Sequence, residues 1–346
     1  MIQKKVQLVL GSGGARGLAH IGVIEELEKE GYEIVEVIGC SMGAVVGGIY
    51  CAGFLKEYKE WILTLNRNLV FSMLDITFPN MGFLKGERVL GRMHDLTGDQ
   101  LIEDLKIPFK AIATDMVNKE EVIFDKGDLY AAMRASMSIP GVFTPIKLDE
   151  RILVDGAVLN PLPINHITKR SDTSIIAVNL NGPYEEEEYF LKFIKQEKME
   201  ALEEENSHPK HHFLNNKWMN KFLHLEGLQL SKINPLQKLQ SIESVEQKNI
   251  EKTEETKKTF FNKIIKHEEK KVSKNNLKYS YFDLLTNSFY YTQDRLVELT
   301  IKAYPPDLVI DIPRNSCAVF DFHKGKKMID IGKFQYHLAL QNATNI

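Results

Sequence analysis

Val35-Glu36-Val37-Ile38-Gly39-Cys40-Ser41-Met42-Gly43-Ala44 is the stretch that decides the fold. The apolar run predicts a strand, residues 44–52 predict a helix, and the pentapeptide Gly39 to Gly43 must turn sharply between them. A serine that attacks a carbonyl projects from such a strand-to-helix turn, where backbone crowding admits only small residues two positions either side of it. Gly39 and Gly43 meet that demand around Ser41. Cys40 does not qualify as the nucleophile, because its own flanks at that distance are Ile38 and Met42. The pentapeptide alone is weak evidence, since a glycine-containing loop between strand and helix has the same composition.

A second motif lies upstream. Residues 6–10 predict a strand, Gly11-Ser12-Gly13-Gly14-Ala15-Arg16-Gly17 a glycine loop, and residues 18–30 a helix with apolar residues near helical spacing. Backbone N–H groups of such a loop, at the positive end of a helix dipole, hold an anion or stabilise a developing oxyanion. Dinucleotide binding is disfavoured, because the last position of G-x-G-x-x-G counted from Gly11 is Arg16. No Lys-Ser or Lys-Thr follows, so a Walker-type phosphate loop is excluded as well. Arg16 reads as a side chain that holds the loop, with an anion contact as the alternative, and His20 as a buried structural histidine.

The third motif is Asp155-Gly156-Ala157, which follows the apolar run Ile152-Leu153-Val154. In isolation an aspartate and glycine at a strand end form a turn with a solvated carboxylate. Beside a serine elbow and a glycine loop, Asp155 becomes a candidate general base.

These three motifs in this order resemble the bacterial members of the patatin-like phospholipase family, with further similarity in Arg134-Ala135-Ser136-Met137-Ser138-Ile139-Pro140-Gly141-Val142-Phe143. The resemblance covers about residues 5–182 and, more loosely, 279–340. Ser12 stands where the family usually has the first of three glycines, and Ala157 where it has another. The resemblance implies a Ser–Asp dyad, with Ser41 as nucleophile and Asp155 as base. It also implies an oxyanion loop over Gly13, Gly14, Ala15 and Arg16, with Gly39, Gly43 and Gly156 supporting the turns. The implied activity is hydrolysis of lipid esters through an acyl-enzyme, with no cofactor and no metal. An acyltransferase using the same intermediate and a lipid-binding member without covalent chemistry are the alternatives. The residues agree with a dyad: the elbow comes after only the second predicted strand, and His166, the nearest histidine after Asp155, sits at a predicted helix start.

Composition bounds the rest. A 346-residue chain with 43% hydrophobic residues buries a full core. A net charge of −3 gives no pull toward nucleic acid. Cys40, Cys51 and Cys317 are too few and scattered for a disulfide framework, which fits a reducing cytoplasm. With no apolar run near 18 residues, the chain is expected to meet lipid peripherally, from the membrane surface. Predicted strands at residues 6–10, 35–40, 109–115, 122–124, 152–155, 174–180 and 308–312 alternate with helices, so the expected fold is α/β, a mostly parallel sheet covered on both faces. All three motifs then fall at strand ends, where ligands bind in such sheets.

Residues 184–278 break the pattern with dense Lys and Glu of nearly balanced sign. They are expected to form a charged helical insertion into a catalytic domain made of residues 1–183 and 279–346. Apolar residues around Trp218, interleaved with Lys217, Lys221 and His224, suggest either packed amphipathic helices or a lid. The insertion also offers a surface for homo-oligomer formation. His208, His211 and His212 lack a Cys or carboxylate at ligand spacing and read as a solvated loop.

Overall fold

A computed structural model describes residues 4–73, 84, 86–185 and 281–344. The chain divides into two units, Met1–Glu186 with Val272–Ile346, and Glu187–Lys271. The expected insertion, the lid around Trp218 and the histidines at 208, 211 and 212 therefore lie outside the described residues.

Eight strands form one sheet: β1 (Lys5–Leu10), β2 (Glu33–Cys40), β3 (Phe109–Asp115), β4 (Glu120–Phe124), β5 (Ile146–Leu148), β6 (Arg151–Asp155), β7 (Thr173–Gly182) and β8 (Leu308–Pro313). Their order is β5-β6-β3-β2-β1-β7-β8, with β4 also paired to β3. The run β3-β2-β1-β7-β8 is parallel, and β4, β5 and β6 are antiparallel additions at one edge. The sheet is thus mostly parallel, as the alternation of elements predicts. Strand β5 escapes the sequence pattern because three residues are too few for a period to register.

The central strands β1 and β7 are buried almost throughout, as parallel strands covered on both faces are. Gln7 sits inside β1 without cost because its amide is used on both sides. It donates to Glu36 on β2 at 2.6 Å and accepts from the Thr173 hydroxyl on β7 at 2.7 Å. A polar residue that interrupts the apolar pattern thereby ties three strands together.

Helices α1 (Ala19–Lys29) and α2 (Met42–Cys51) each follow a strand directly or through a short 3-10 turn at Gly14–Leu18. Next come α3 (Leu55–Thr64), α4 (Arg67–Ser72), α5 (Glu87–Thr97) and α6 (Leu129–Ser136), then α7 (Tyr281–Ala303) and α8 (Gly325–Thr344). Val297 of α7 joins Val9, Leu162, Ile164, Ile175 and Ala177 in one apolar cluster. Connections β1–α1–β2 and β7–α7–β8 step in opposite directions across the sheet, and right-handed crossovers put their helices on opposite faces.

Helix α8 packs along α1 at a spacing only glycine allows. A Cβ on Gly22 would lie 2.0 Å from the Ile329 carbonyl oxygen, and one on Gly332 2.1 Å from that of Ala19. Each helix thus presses backbone against backbone at the other's glycine. Gly332→Ala is expected to destabilise the protein by about 1–3 kcal/mol, because the clash falls on a carbonyl that cannot move without its helix. Urea unfolding should show a lower midpoint for Gly332→Ala and an equal or slightly higher one for Gly91→Ala within α5, whose added Cβ would meet open space.

Candidate active site

Strand β2 ends at Cys40, and Ser41 turns the chain into α2 with φ 55° and ψ −121°. That is a left-handed conformation for a non-glycine residue, costing roughly 1–3 kcal/mol. Glycines let the turn close around it. A Cβ on Gly39 would stand 2.4 Å from the Gly43 carbonyl oxygen, and one on Gly43 2.1 Å from that of Leu10. The elbow is then pinned from α6: the Ser41 N–H donates to Ser136 Oγ at 2.8 Å, and that hydroxyl donates to the Ile112 carbonyl at 2.6 Å.

Asp155 is the last residue of β6, beside Ala113 of β3, and its own N–H donates to the Ser138 carbonyl at 2.9 Å. Gly156 allows the chain to leave the strand tightly, since a Cβ there would lie 2.3 Å from the Ile112 carbonyl oxygen. Two residues 114 positions apart in sequence thus meet: Ser41 Oγ donates to Asp155 Oδ2 at 2.5 Å. The other carboxylate oxygen accepts the Ala157 N–H at 2.8 Å, with Cys40 Sγ 4.0 Å away.

Both side chains are buried, Ser41 with 4% and Asp155 with 2% of its surface exposed. Burial pushes the Asp155 carboxyl up to about 7, against the opposing pull of its bonds from Ser41 and Ala157. The Cys40 thiol is pushed well above its ordinary range, first by burial and then by the negative charge of Asp155, and so stays protonated.

The glycine loop lies against this elbow. A Cβ on Gly17 would meet Met42 Cγ at 2.3 Å, so the turn that begins α1 touches the residue after Ser41. Within the loop, Gly11 donates its N–H to Val178, Ser12 to Pro161 and Ala15 to Val319. Ala15, a member of the expected oxyanion loop, thus uses its N–H to tie that loop to the segment after β8. Gly13 and Gly14 keep N–H groups without a partner among the described residues. Arg16 is buried and donates Nε to the Leu180 carbonyl at 3.0 Å and Nη1 to that of Cys317 at 3.4 Å. Its guanidinium ties the loop to the end of β7 and to the segment after β8.

His20 is fully buried, shares a 3.0 Å bond with the Gly11 carbonyl, and is held neutral by burial, its pKa lowered to about 4. His166 meets Glu121 at 2.7 Å and Asn165 at 3.3 Å through the same ring nitrogen, and that nitrogen does not reach Asp155. A groove of about 410 Å3 lies elsewhere, between α5, α6 and β5, and neither Ser41 nor Asp155 lines it. Among the described residues, no three His, Cys, Asp or Glu side chains form a cluster able to hold a metal ion, and no helix is long and apolar enough to cross a membrane.

Ser136 and Ser138 are the site residues that motif reasoning misses. Both sit in the segment 134–143, but nothing in the order of residues says that one hydroxyl will catch the elbow and one carbonyl the aspartate.

The chain belongs to the patatin-like phospholipase family. A family model described as patatin-like phospholipase matches residues 8–167. Uncharacterized NTE family proteins of Mycobacterium tuberculosis and Mycobacterium bovis are 34% identical over 348 residues, covering 97% of this chain and 91% of theirs. The neuropathy target esterase of Drosophila melanogaster is 32% identical over 184 residues, 51% of this chain and 13% of that protein. Among solved structures, VipD from Legionella pneumophila aligns at 15% identity over 59% of this chain and 54% of its own, with a TM-score of 0.34.

The raised Asp155 pKa has a consequence for stability. In the unfolded chain an aspartate titrates near 3.9, so the folded protein holds this proton more tightly. The resulting stabilisation is complete below about pH 4 and is lost as pH rises through about 7. Asp155→Asn, which stays neutral, should therefore be more stable than wild type at pH 8, with the gain shrinking toward pH 5 in urea titrations. An equal gain at both pH values would mean that Asp155 titrates normally. Ser136→Ala takes from the buried Ser41 N–H its acceptor, at a cost of about 1–3 kcal/mol. It should lower kcat on a soluble ester more than it changes KM.

Proposed function

We propose that this protein is a serine acyl hydrolase that cleaves lipid esters through an acyl-enzyme on Ser41, with Asp155 as general base. The observation that carries the proposal is the 2.5 Å hydrogen bond between Ser41 Oγ and a buried Asp155 carboxylate. As Oγ attacks an ester carbonyl, its proton passes to Asp155 Oδ2, and a covalent Oγ–acyl bond replaces the ester bond to the alcohol. The leaving alkoxide takes that proton back as it departs. Water then repeats the sequence, giving up a proton to Asp155 and releasing the acid.

An ordinary aspartate is a poor base toward a hydroxyl, whereas one titrating near 7 is matched to neutral pH. Its partner already lies along the path of transfer. The free N–H groups of Gly13 and Gly14 are assigned to the oxyanion, each such donor contributing roughly 10²–10³ in rate. No histidine is needed, and His166 is engaged with Glu121. Membership of the family and similarity to a protein named as an esterase support the ester substrate. The absence of a membrane-crossing helix among the described residues fits an enzyme that meets lipid from the aqueous side.

A fluorophosphonate probe should label the folded wild-type protein and fail to label Ser41→Ala. Asp155→Asn should slow labelling by roughly 10²–10⁴. For the wild type, the labelling rate should climb through about pH 7 as Asp155 ionises and level off above it. Folded wild type that does not label would end the serine-hydrolase proposal.

A further inference from the structure

Two hairpins extend beyond the Ser41–Asp155 pair on the same edge of the sheet. Cys40 is level with Ile112 of β3, and Asp155 with Ala113. Strand β3 then continues to Asp115 and turns through residues 116–119 into β4. At about 3.3 Å per residue, that turn begins roughly 10 Å past the level of Asp155. Beside it, β5 and β6 turn through Asp149 and Glu150, with Leu148 paired to Arg151. The Met116 N–H donates to the Ile152 carbonyl at 2.9 Å, which joins the two tips side by side.

These tips carry apolar side chains in the open. Met116 is 50% exposed, Val117 51% and Leu148 44%. The chain holds them out by satisfying its own polar groups. Asp115 Oδ1 accepts the N–H of Val117 at 2.8 Å, Oδ2 accepts the Asn118 amide at 2.7 Å, and the Asp115 carbonyl accepts the Lys119 N–H at 2.9 Å. Burial alone would raise the Asp115 carboxyl, yet these donors and Arg151 hold it below the usual carboxylate range, so the brace stays charged. A turn whose N–H groups are bonded internally enters a lipid headgroup layer at little desolvation cost.

We infer that Met116, Val117 and Leu148 seat the protein on a zwitterionic lipid layer, so that the catalytic edge of the sheet faces its substrate. The inference rests on the lipid-ester function proposed above. The charges choose the kind of lipid: Lys119, Lys147 and Arg151 are matched by Glu120, Asp149 and Glu150, all six exposed. With the Asp115 carboxylate that Arg151 faces at 3.7 Å, three positive and four negative side chains give the rim a net charge of about −1, which suits phosphocholine headgroups and offers no attraction to an anionic surface. Attachment then comes from the apolar tips, in the way that interfacial segments bind through buried apolar area.

The test is flotation of the full-length protein with pure phosphatidylcholine vesicles. Wild type should float with the lipid, and the Met116→Asp/Val117→Asp double variant should bind about tenfold more weakly or worse. Hydrolysis of a soluble short-chain ester should differ by less than about twofold between them. A Val117→Trp variant should show a blue shift on the same vesicles beyond that of wild type, whose Trp61 and Trp218 set the background, which reports insertion of the tip even where the double variant folds poorly. Adding anionic phosphatidylglycerol, or 0.5 M salt, should change little. Wild-type binding that is absent, equal in the double variant, or dependent on anionic lipid and abolished by salt would overturn the inference. Tip-dependent binding by a protein that hydrolyses no ester would support the docking surface and remove the hydrolase proposal instead.

Discussion

Everything at the site depends on how closely α2 can approach the ends of β1 and β2. A serine held at φ 55° is not a conformation the local sequence prefers. It persists because Gly43 lies against the Leu10 carbonyl and Gly39 against the start of the helix, leaving the chain no other way to run. Strain of this kind survives only where its surroundings over-determine it. Here the surroundings are two missing side chains and one hydroxyl, that of Ser136, which catches the elbow's N–H.

The carbonyl of Ile112 is the common reference for both reacting groups. It accepts the hydroxyl that fixes Ser41, and it lies against Gly156, the residue that lets the chain leave Asp155. Nucleophile and base come from strands of opposite direction, one from the parallel body of the sheet and one from its antiparallel edge. Their separation is nonetheless set by a single peptide unit of β3. The same enclosure keeps water from the carboxylate and raises its pKa, so the geometry and the basicity share one cause.

The parts legible in the sequence were those where a residue type is forced. Gly39, Gly43 and Gly156 announce their turns because no other side chain fits, whereas Ser41 and Asp155 become a candidate pair only when the three motifs are taken together with the family they resemble. The parallel body of the sheet was legible for a similar reason, since strands buried on both faces read as apolar runs. Strand β5 was too short to carry a pattern. Ser136 and Ser138 were illegible in role because a serine inside a helix or just after one looks the same whether it faces solvent or a strained backbone. Ala15 shows the opposite difficulty. It belongs to the glycine loop by position, and only the approach of Val319, some three hundred residues later, commits its N–H elsewhere.

The backbone contact between α1 and α8 has a bearing on how the molecule comes into being. Ser41, Asp155 and the groups that hydrogen-bond to them have been synthesised by residue 157, yet α1 waits for residues 325–344 to cover the face that carries Gly22. A growing chain could therefore bring the reactive pair together long before the helix behind the glycine loop has its partner. During that interval α1 offers apolar surface to whatever is near, and the arrival of α8 ends the exposure.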